Sequence, residues 1–124
     1  MVQQNQKDLA FFLVYIREAH ALDSQAPTDF GMVQDPIDLL ERTAVAHRCV
    51  DDLDLPLPAL IDGVDDKVNL AYGGWPDRLY LIGKDGKVAF AGAQGPAGFD
   101  VEALQKAVAV EVAKIRAAAK PAGK

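Results

Sequence analysis

One uninterrupted apolar stretch constrains the fold of this chain more than any other feature. The six residues 11–16 are all apolar or aromatic, and Arg, Glu, Ala and His follow at once. A run of this kind, rich in β-branched and aromatic side chains, predicts a strand over roughly residues 9–16 that is buried on both faces. Strands of that type belong to parallel sheets covered by helices, where ligands bind just beyond the carboxyl ends of the strands. We therefore expect Glu18 and His20 to lie at a binding or catalytic site.

The overall composition indicates a single soluble domain over residues 1–124, long enough to bury a core. The formal net charge of −5 argues against nucleic acid or an anionic membrane as a partner. No apolar run approaches the ~20 residues that a bilayer-spanning helix needs. Because the first residues also lack the charged and apolar regions of a signal peptide, we expect a cytoplasmic location.

The chain contains one cysteine, Cys49, which excludes an internal disulfide and a cysteine-based zinc site. We expect no metal and no cofactor. Cys49 would be a redox thiol if its thiolate were stabilised, since the thiolate is the reactive form. Its position in the middle of a predicted helix, close to Asp51 and Asp52, favours core packing instead. Burial and acidic neighbours both raise the pKa of a thiol, and both are expected here.

After the first strand, helices alternate with extended segments. A long polar loop over residues 21–36 leads to a helix predicted over 36–53, with Asp35 as its N-cap and Pro36 in its first turn. The apolar face predicted for this helix consists of Leu39, Ala46, Val50 and Leu53, flanked by Val45 and Cys49.

A short extended piece over residues 59–62 and a two-turn helix around 65–72 follow. Asp62 can either cap that helix or pair with Arg78, and both arrangements stay open.

The C-terminal part predicts a hairpin and a final helix. Strands over residues 78–83 and 87–92 are joined by Lys-Asp-Gly at 84–86, the strongest turn signal in the chain. Asp100 is the predicted cap of the last helix, and the tail after Arg116 is expected to fray. The predicted buried stripe of this helix consists of Val101, Leu104, Val108, Val112 and Ile115.

Several motifs occur together in an order typical of one protein family. They are Val14-Tyr15-Ile16-Arg17-Glu18-Ala19-His20, Asp62 with Ala71-Tyr72-Gly73, Pro76-Asp77-Arg78-Leu79-Tyr80-Leu81-Ile82, Asp85-Gly86 and Gly95-Pro96-Ala97-Gly98-Phe99. Over residues 9–110 they resemble the iodothyronine deiodinase family, in particular its bacterial members, within the thioredoxin/peroxiredoxin-like superfamily. The resemblance implies an α/β fold: a thioredoxin-like three-layer sandwich, truncated at the N-terminus, with a C-terminal β-hairpin and helix.

The resemblance also implies where the chemistry would lie. The family nucleophile, a selenocysteine or cysteine, belongs to a strand–helix unit that would precede residue 1, so the chain would be inactive alone. Gln94 stands where the animal enzymes have a basic residue. The family positions present in this chain are His20 and Glu18 at the catalytic Glu-Ala-His motif, and Pro76, Arg78 and Gln94 at substrate-binding positions.

Two functions from different classes stay open. One is a deiodinase-like oxidoreductase whose nucleophile and thiol reductant come from outside this chain. The other is a non-catalytic, oligomerising thioredoxin-like module that binds a small molecule or a protein. In thioredoxin-like sheets the nucleophile-bearing strand lies between the strands that match residues 9–16 and 78–83, so both would have open edges. We expect these strands to pair directly, or a homo-oligomer to form through that edge.

Three local alternatives also stay open. His20 can act as an acid/base group, since its unperturbed pKa of about 6.5 suits proton transfer, or hold the following loop by a hydrogen bond to Glu18. The Trp75–Pro76 bond, where the family has a proline facing the active site, can be cis or trans. The glycine-rich loop 92–98 can hold an anion on its N–H groups, but it lacks phosphate-loop spacing, which favours a flexible connector.

Overall fold

The computed structural model describes residues 1–18, 35–54 and 57–119, and it is a mixed α/β structure of helices and small sheets. His20 and most of the predicted loop 21–36 lie outside the described residues. The helices and strands are α1 (Val2–Asn5), β1 (Leu13–Tyr15), α2 (Leu39–Leu53), β2 (Ala59–Ile61), α3 (Lys67–Tyr72), β3 (Tyr80–Ile82), β4 (Val88–Ala91) and α4 (Val101–Ala119).

The chain divides into two compact units. We call Met1–Phe11 together with Asp77–Lys124 the hairpin unit, and Phe12–Pro76 the parallel unit. Each unit contains one two-stranded sheet, β3–β4 in the hairpin unit and β1–β2 in the parallel unit. None of the helices in the described ranges is both long and apolar enough to span a bilayer. The thioredoxin-like sandwich and the single domain stay predictions.

The hairpin unit is built around an apolar core. Strands β3 and β4 pair antiparallel, as the Lys-Asp-Gly turn predicts, and Gly86 in that turn has a positive φ of 79°. Leu81 in β3 faces α4, and partly buried apolar side chains from the start of the chain and the hairpin surround the contact. The buried core residues are Leu81, Leu104, Val108 and Val112.

Helix α4 follows its predicted pattern with three differences. Asp100 Oδ1 accepts a hydrogen bond from the Ala103 N–H at 3.0 Å, which confirms the cap. Val101, in the first turn, is exposed although the predicted stripe included it. Glu111 is buried although the stripe predicted only apolar residues, and its carboxylate lies over the backbone of Gly83. The helix also continues past Arg116 to Ala119. The prediction that the chain frays after Arg116 was therefore wrong for residues 117–119.

The parallel unit contains residues 12–16 of the apolar run. The strand formed there, β1, is only three residues long, and its Leu13 pairs with Ala59 in a parallel register. The prediction of burial on both faces was wrong. Phe12 is 55% exposed, and Val14 and its register partner Leu60 are also exposed, so one face of this sheet is uncovered.

The start of α2 differs from the prediction. Asp38, not Asp35, is the N-cap: its backbone is extended and its Oδ1 accepts from the Glu41 N–H at 2.8 Å. Glu41 Oε2 in turn accepts from the Ile37 N–H at 2.9 Å. Asp35 instead forms an ion pair of 3.2 Å with Arg17. Pro36 consequently lies before the helix rather than in its first turn.

The buried face of α2 is narrower and more polar than predicted. Ala46 is buried as expected, but Leu39 and Leu53 are exposed. Arg42 occupies the centre of the buried face with only 2% of its surface exposed. This charged side chain can be buried because the turn after β2 supplies oxygen acceptors for its guanidinium.

Candidate functional site

A buried carboxylate organises the turn between β2 and α3. Asp62 follows β2 directly and is 2% exposed. Its two carboxylate oxygens accept hydrogen bonds from the Val68 N–H at 3.1 Å and the Asn69 N–H at 2.9 Å. These are donors of the first turn of α3, which have no partner within the helix. Of the two alternatives for Asp62, the cap is therefore the one found.

Arg42 reaches this turn from α2. Its Nη1 donates to the carbonyl oxygens of Asp62 at 3.2 Å and Gly63 at 2.6 Å, and its Nη2 lies 3.2 Å from Asp66 Oδ1. A buried guanidinium is tolerated only when carbonyl and carboxylate oxygens replace its water. Arg42 therefore fixes α2 against the turn that begins α3.

Asn69 connects this network to the end of α3. Its backbone carbonyl accepts from the N–H groups of Gly73 and Gly74, and Gly73 ends the helix with a left-handed φ of 59°. Its side-chain Oδ1 accepts from the Trp75 N–H at 2.9 Å. The Trp75–Pro76 bond that follows is cis.

The segment held by Asn69 contacts the end of β1. The Trp75 indole N–H donates to the backbone carbonyl of Glu18 at 3.5 Å. Gly74 lies against Ile16, since a Cβ added to this glycine would be 3.6 Å from Ile16 Cδ1. Glu18, at the end of the first strand, is therefore joined to the Trp75–Pro76 segment, as a site built at a strand end requires.

Cys49 lies within the electrostatic reach of the same strand end. Partial burial raises the pKa of the Cys49 thiol, and the carboxylates of Glu18 and Asp52 raise this pKa further. The direction agrees with the sequence, but Glu18 takes the place of the predicted Asp51. A raised thiol pKa lowers the thiolate fraction at neutral pH, so Cys49 is a weak nucleophile.

The other two predicted substrate-binding residues belong to the hairpin unit. Arg78 precedes β3, and its Nε is buried with no hydrogen-bond partner among the described residues. Gln94 lies in the loop after β4 and is exposed. Glu18, Cys49 and Pro76 thus share one unit, while Arg78 and Gln94 share the other.

The glycine-rich loop after β4 is folded back onto the segment that leads into β3. The N–H groups of Gly92 and Gly95 donate to the carbonyls of Leu79 and Asp77 at 2.8 and 2.9 Å, and the Gly98 N–H donates to the Gln94 carbonyl at 3.0 Å. These three donors are already bonded within the protein. The connector is therefore favoured over an anion cradle, and it is held by hydrogen bonds along its length.

Arg42, Asn69 and Trp75 were not singled out as site residues from the sequence. Arg42 did leave a signal, since it falls three residues after Leu39 and four before Ala46, on the predicted apolar face. A charge at such a position indicates a buried polar partner elsewhere. Asn69 and Trp75 leave no comparable signal, because the indole contact joins residues 57 positions apart. No group of three metal-ligating side chains occurs in the described ranges.

Comparisons with known proteins match most of this chain. A model of the iodothyronine deiodinase family matches residues 1–111. Human thyroxine 5-deiodinase is 30% identical over 105 residues, covering 85% of this chain and 34% of the relative. The thyroxine 5-deiodinase of Sparus aurata is 32% identical over 109 residues, covering 79% and 37%. The type I iodothyronine deiodinase of Xenopus laevis is 30% identical over 92 residues, covering 74% and 36%. The chain spans about a third of the length of these relatives.

Proposed function

Since this chain belongs to the iodothyronine deiodinase family, we propose that it forms the body of a deiodinase-like, thioredoxin-fold oxidoreductase. The family match over residues 1–111 is the observation that carries this proposal. The relatives' names add the substrate class, an iodinated aromatic amino acid. We propose a substrate of the same class for this chain.

The reaction is a reductive removal of iodine from an aromatic ring. The thiolate attacks iodine, the carbon–iodine bond breaks with its electron pair left on the ring carbon, and that carbon takes a proton. A second thiol then attacks the sulfur of the new sulfur–iodine bond and releases iodide. Two thiol groups of the enzyme and its reductant supply two electrons and become a disulfide. Of their two protons, one balances the proton taken by the ring and the other goes to solvent.

The family-matched residues have distinct roles in this proposal. Glu18 and His20 follow the first strand and assist proton transfer to the ring carbon. Arg78 takes a carboxylate of the substrate, because an arginine forms short, charge-assisted hydrogen bonds with that group. Its buried Nε with no partner in the described residues supports this role. Pro76 and Gln94 are assigned to substrate binding by the family match alone.

We further propose that the nucleophile comes from outside these 124 residues. The only thiol in the sequence is Cys49, and its raised pKa keeps it protonated at neutral pH. A protonated thiol cannot attack iodine efficiently, because the thiolate is the nucleophile. Cys49 therefore packs in the parallel unit rather than reducing substrate.

Two measurements on the 124-residue chain test this function. Isothermal titration should show binding of thyroxine, weakened about 10-fold by Arg78→Ala, the size expected for a lost charge-assisted hydrogen bond. Arg48→Ala removes an equal charge from an exposed i,i+4 pair and serves as the matched control. Iodide release with dithiothreitol should stay at background and be unchanged by Cys49→Ala. Absence of thyroxine binding would contradict the deiodinase-like function, and release abolished by Cys49→Ala would contradict the external nucleophile.

Open strand edges favour a second candidate function, a non-catalytic oligomerising module. Among the described strands β1 pairs only with β2, and β3 only with β4, so each has an edge without a neighbour. The Leu13 N–H donates to the Pro58 carbonyl at 3.0 Å, and the Tyr15 carbonyl accepts from the Asp62 N–H at 2.9 Å. Both groups therefore face the β2 side. In a parallel strand the intervening residue, Val14, directs its backbone groups to the opposite edge. An open edge of this kind recruits another chain.

Light scattering at micromolar concentration tests this second candidate. A homo-oligomer closed through β1 should become monomeric with Val14→Pro, which removes an N–H from the open edge but not from the β2 side. The matched control is Val14→Ala, which keeps the N–H at position 14. A proline at an exposed helical position such as Val110 would break α4 and cannot serve as the control. A stable wild-type monomer would contradict the oligomerising module.

A further inference from the structure

We propose that Asn69 is a positioning residue: its side-chain oxygen, supported by the buried Arg42–Asp62 network, fixes the Trp75 segment that holds Glu18 at the end of β1. The proposal concerns the geometry of the parallel unit. Its relevance to catalysis rests on the proposed function, in which Glu18 assists proton transfer.

The network behind Asn69 is buried and largely hydrogen-bonded. Arg42 and Asp62 are each 2% exposed, and Asn69 is 9% exposed. Arg42 Nε is the exception, since it has no hydrogen-bond partner in the described residues. Buried polar groups are costly when their hydrogen bonds are not made, so loss of the bonds that are present is disfavoured. The start of α3 is thereby held by Asp62, and Asp62 is held by its place after β2 and by Arg42 on its own carbonyl.

Asn69 joins this network to the end of α3 through three of its own polar groups: its N–H, its backbone carbonyl and its side-chain oxygen. Its N–H is bound by Asp62 Oδ2, and its backbone carbonyl accepts two N–H groups from the residues that end the helix. Its side-chain Oδ1 accepts from the Trp75 N–H at 2.9 Å. An apolar residue at position 69 would keep the three backbone hydrogen bonds but would leave the Trp75 N–H without this acceptor.

Trp75 then acts on the strand end. Its indole N–H donates to the Glu18 carbonyl, and the neighbouring Gly74 lies against Ile16. Two contacts therefore join the end of α3 to the residues that directly follow β1. Releasing the Trp75 backbone loosens both, and the Glu18 main chain loses a donor that fixes its direction.

Cys49 provides a reporter of Glu18 that needs no substrate. The Glu18 carboxylate raises the pKa of the Cys49 thiol, so moving that carboxylate away increases the thiolate fraction. The rate of alkylation by iodoacetamide at pH 8 follows this fraction, because the thiolate is the reacting form. The sequence has no other cysteine, so every labelling event reports on this position.

The decisive variants are Asn69→Leu, which removes the acceptor, and Asn69→Asp, which keeps an oxygen at the same place. Asn69→Leu should speed alkylation about 2- to 5-fold through a larger thiolate fraction. Asn69→Asp should stay at the wild-type rate. Trp75→Phe, which removes only the indole N–H, should shift the rate in the same direction as Asn69→Leu, and it keeps the test valid if Asn69→Leu does not fold.

The Glu18→Gln background separates positioning from general loosening. With the carboxylate absent, Asn69→Leu and Trp75→Phe should cause no further increase in rate. An increase of the same size in both backgrounds would overturn the proposal, since it would reflect greater exposure of Cys49. A folded Asn69→Leu and a folded Trp75→Phe that both alkylate at the wild-type rate would also overturn it. Thyroxine binding and iodide release play no part in this test, so its failure is distinguishable from failure of the proposed function.

Discussion

At the scale of single residues, Gly95 shows how closely the loop after β4 packs against the segment that precedes β3. A Cβ at position 95 would meet Oδ1 and Cγ of Asp77 closer than atoms can approach. The Asp77 Oδ1 atom is buried without a hydrogen-bond partner in the described residues, so this oxygen has no hydrogen bond to lose. The close approach therefore follows from packing, not from a bond.

We expect Gly95→Ala to lower the free energy of unfolding by about 1–3 kcal/mol, the usual cost of overpacking. Asp77→Ala should restore most of the loss by removing the carboxylate, as measured by urea denaturation of the double variant. Gly86→Ala is the matched control. It is strained by its positive φ but meets no atom within 4 Å, so Asp77→Ala should not rescue it.

Cys49 gives a prediction about pH. Its pKa is higher in the folded chain than the ordinary value of 9.0, because burial and the carboxylates of Glu18 and Asp52 disfavour the thiolate. The unfolded chain therefore loses this proton first as the pH rises, and the stabilising effect present below pH 9.0 is lost as the pH passes through the folded pKa.

The measurement is a urea denaturation series of wild type and Cys49→Ala between about pH 7 and 11. The difference in unfolding free energy between the two proteins should be constant at the lower end and should shift against wild type above pH 9.0. A difference that is constant over the whole range would contradict the raised pKa. Glu18→Gln should leave the onset at pH 9.0 but make the shift smaller, because it removes one of the three causes that raise the folded pKa.

At the scale of secondary structure, substitutions before α2 test whether Asp38 or Asp35 is its N-cap. Asp38→Ala should lower the free energy of unfolding by about 1 kcal/mol, because it leaves the Glu41 N–H without its acceptor. Asp38→Asn keeps an acceptor oxygen and should cost only a fraction of that amount. Asp35→Ala breaks an ion pair whose arginine is exposed, which is worth less than a cap. Equal losses for Asp35→Ala and Asp38→Ala, by thermal or urea denaturation, would contradict this assignment.

The same helix shows why the sequence predicts some elements and not their details. Helix α4 and the β3–β4 hairpin follow from local periodicity and one turn signal, so their existence and pairing were predictable. Of the two aspartates before α2, Asp38 has the better local signal, because Glu41 stands three residues after it and bonds back to the start of the helix. Asp35 pairs instead with Arg17, 18 positions away, and no local pattern indicates that pair.

The candidate site was predictable only where it followed from the end of a strand. The apolar run places Glu18 beyond β1, and helix spacing places Cys49 beside the buried face of α2. The contact between Glu18 and Trp75, and the burial of Arg42 on carbonyls after β2, are formed by residues distant in sequence. No local pattern encodes such pairs, because they depend on how α2 and α3 are arranged around β1 and β2.

At the scale of the whole molecule, the two units differ in what they bury. The hairpin unit buries Leu81 and three apolar residues of α4. The buried side chains described in the parallel unit are mainly polar, with Arg42, Asp62 and Asn69 among them. Apolar burial is the larger source of stability, whereas a buried polar network roughly offsets its own desolvation. Local opening should therefore require less free energy in the parallel unit.

Native-state hydrogen exchange checks this difference. Amide protons in the middle of α4 and in β3 should exchange most slowly, and those of α3 and β1 should exchange faster. Val108→Ala should lower protection throughout α4, while Val110→Ala, on the exposed side of the same helix, should leave it unchanged. Protection of α3 equal to that of α4 would contradict the expected order.

The hydrogen bond between Trp75 and Glu18 has a spectroscopic consequence. Trp75 is the chain's only tryptophan, so excitation at the red edge of protein absorbance reports on this indole alone. Its emission wavelength and quenching by iodide or acrylamide therefore follow the release of a single side chain from the end of β1. Circular dichroism is dominated by α4, the longest helix described. When the two signals are recorded during the same denaturation, the emission should change first, which makes one intrinsic fluorophore a direct optical measure of how firmly Glu18 is held.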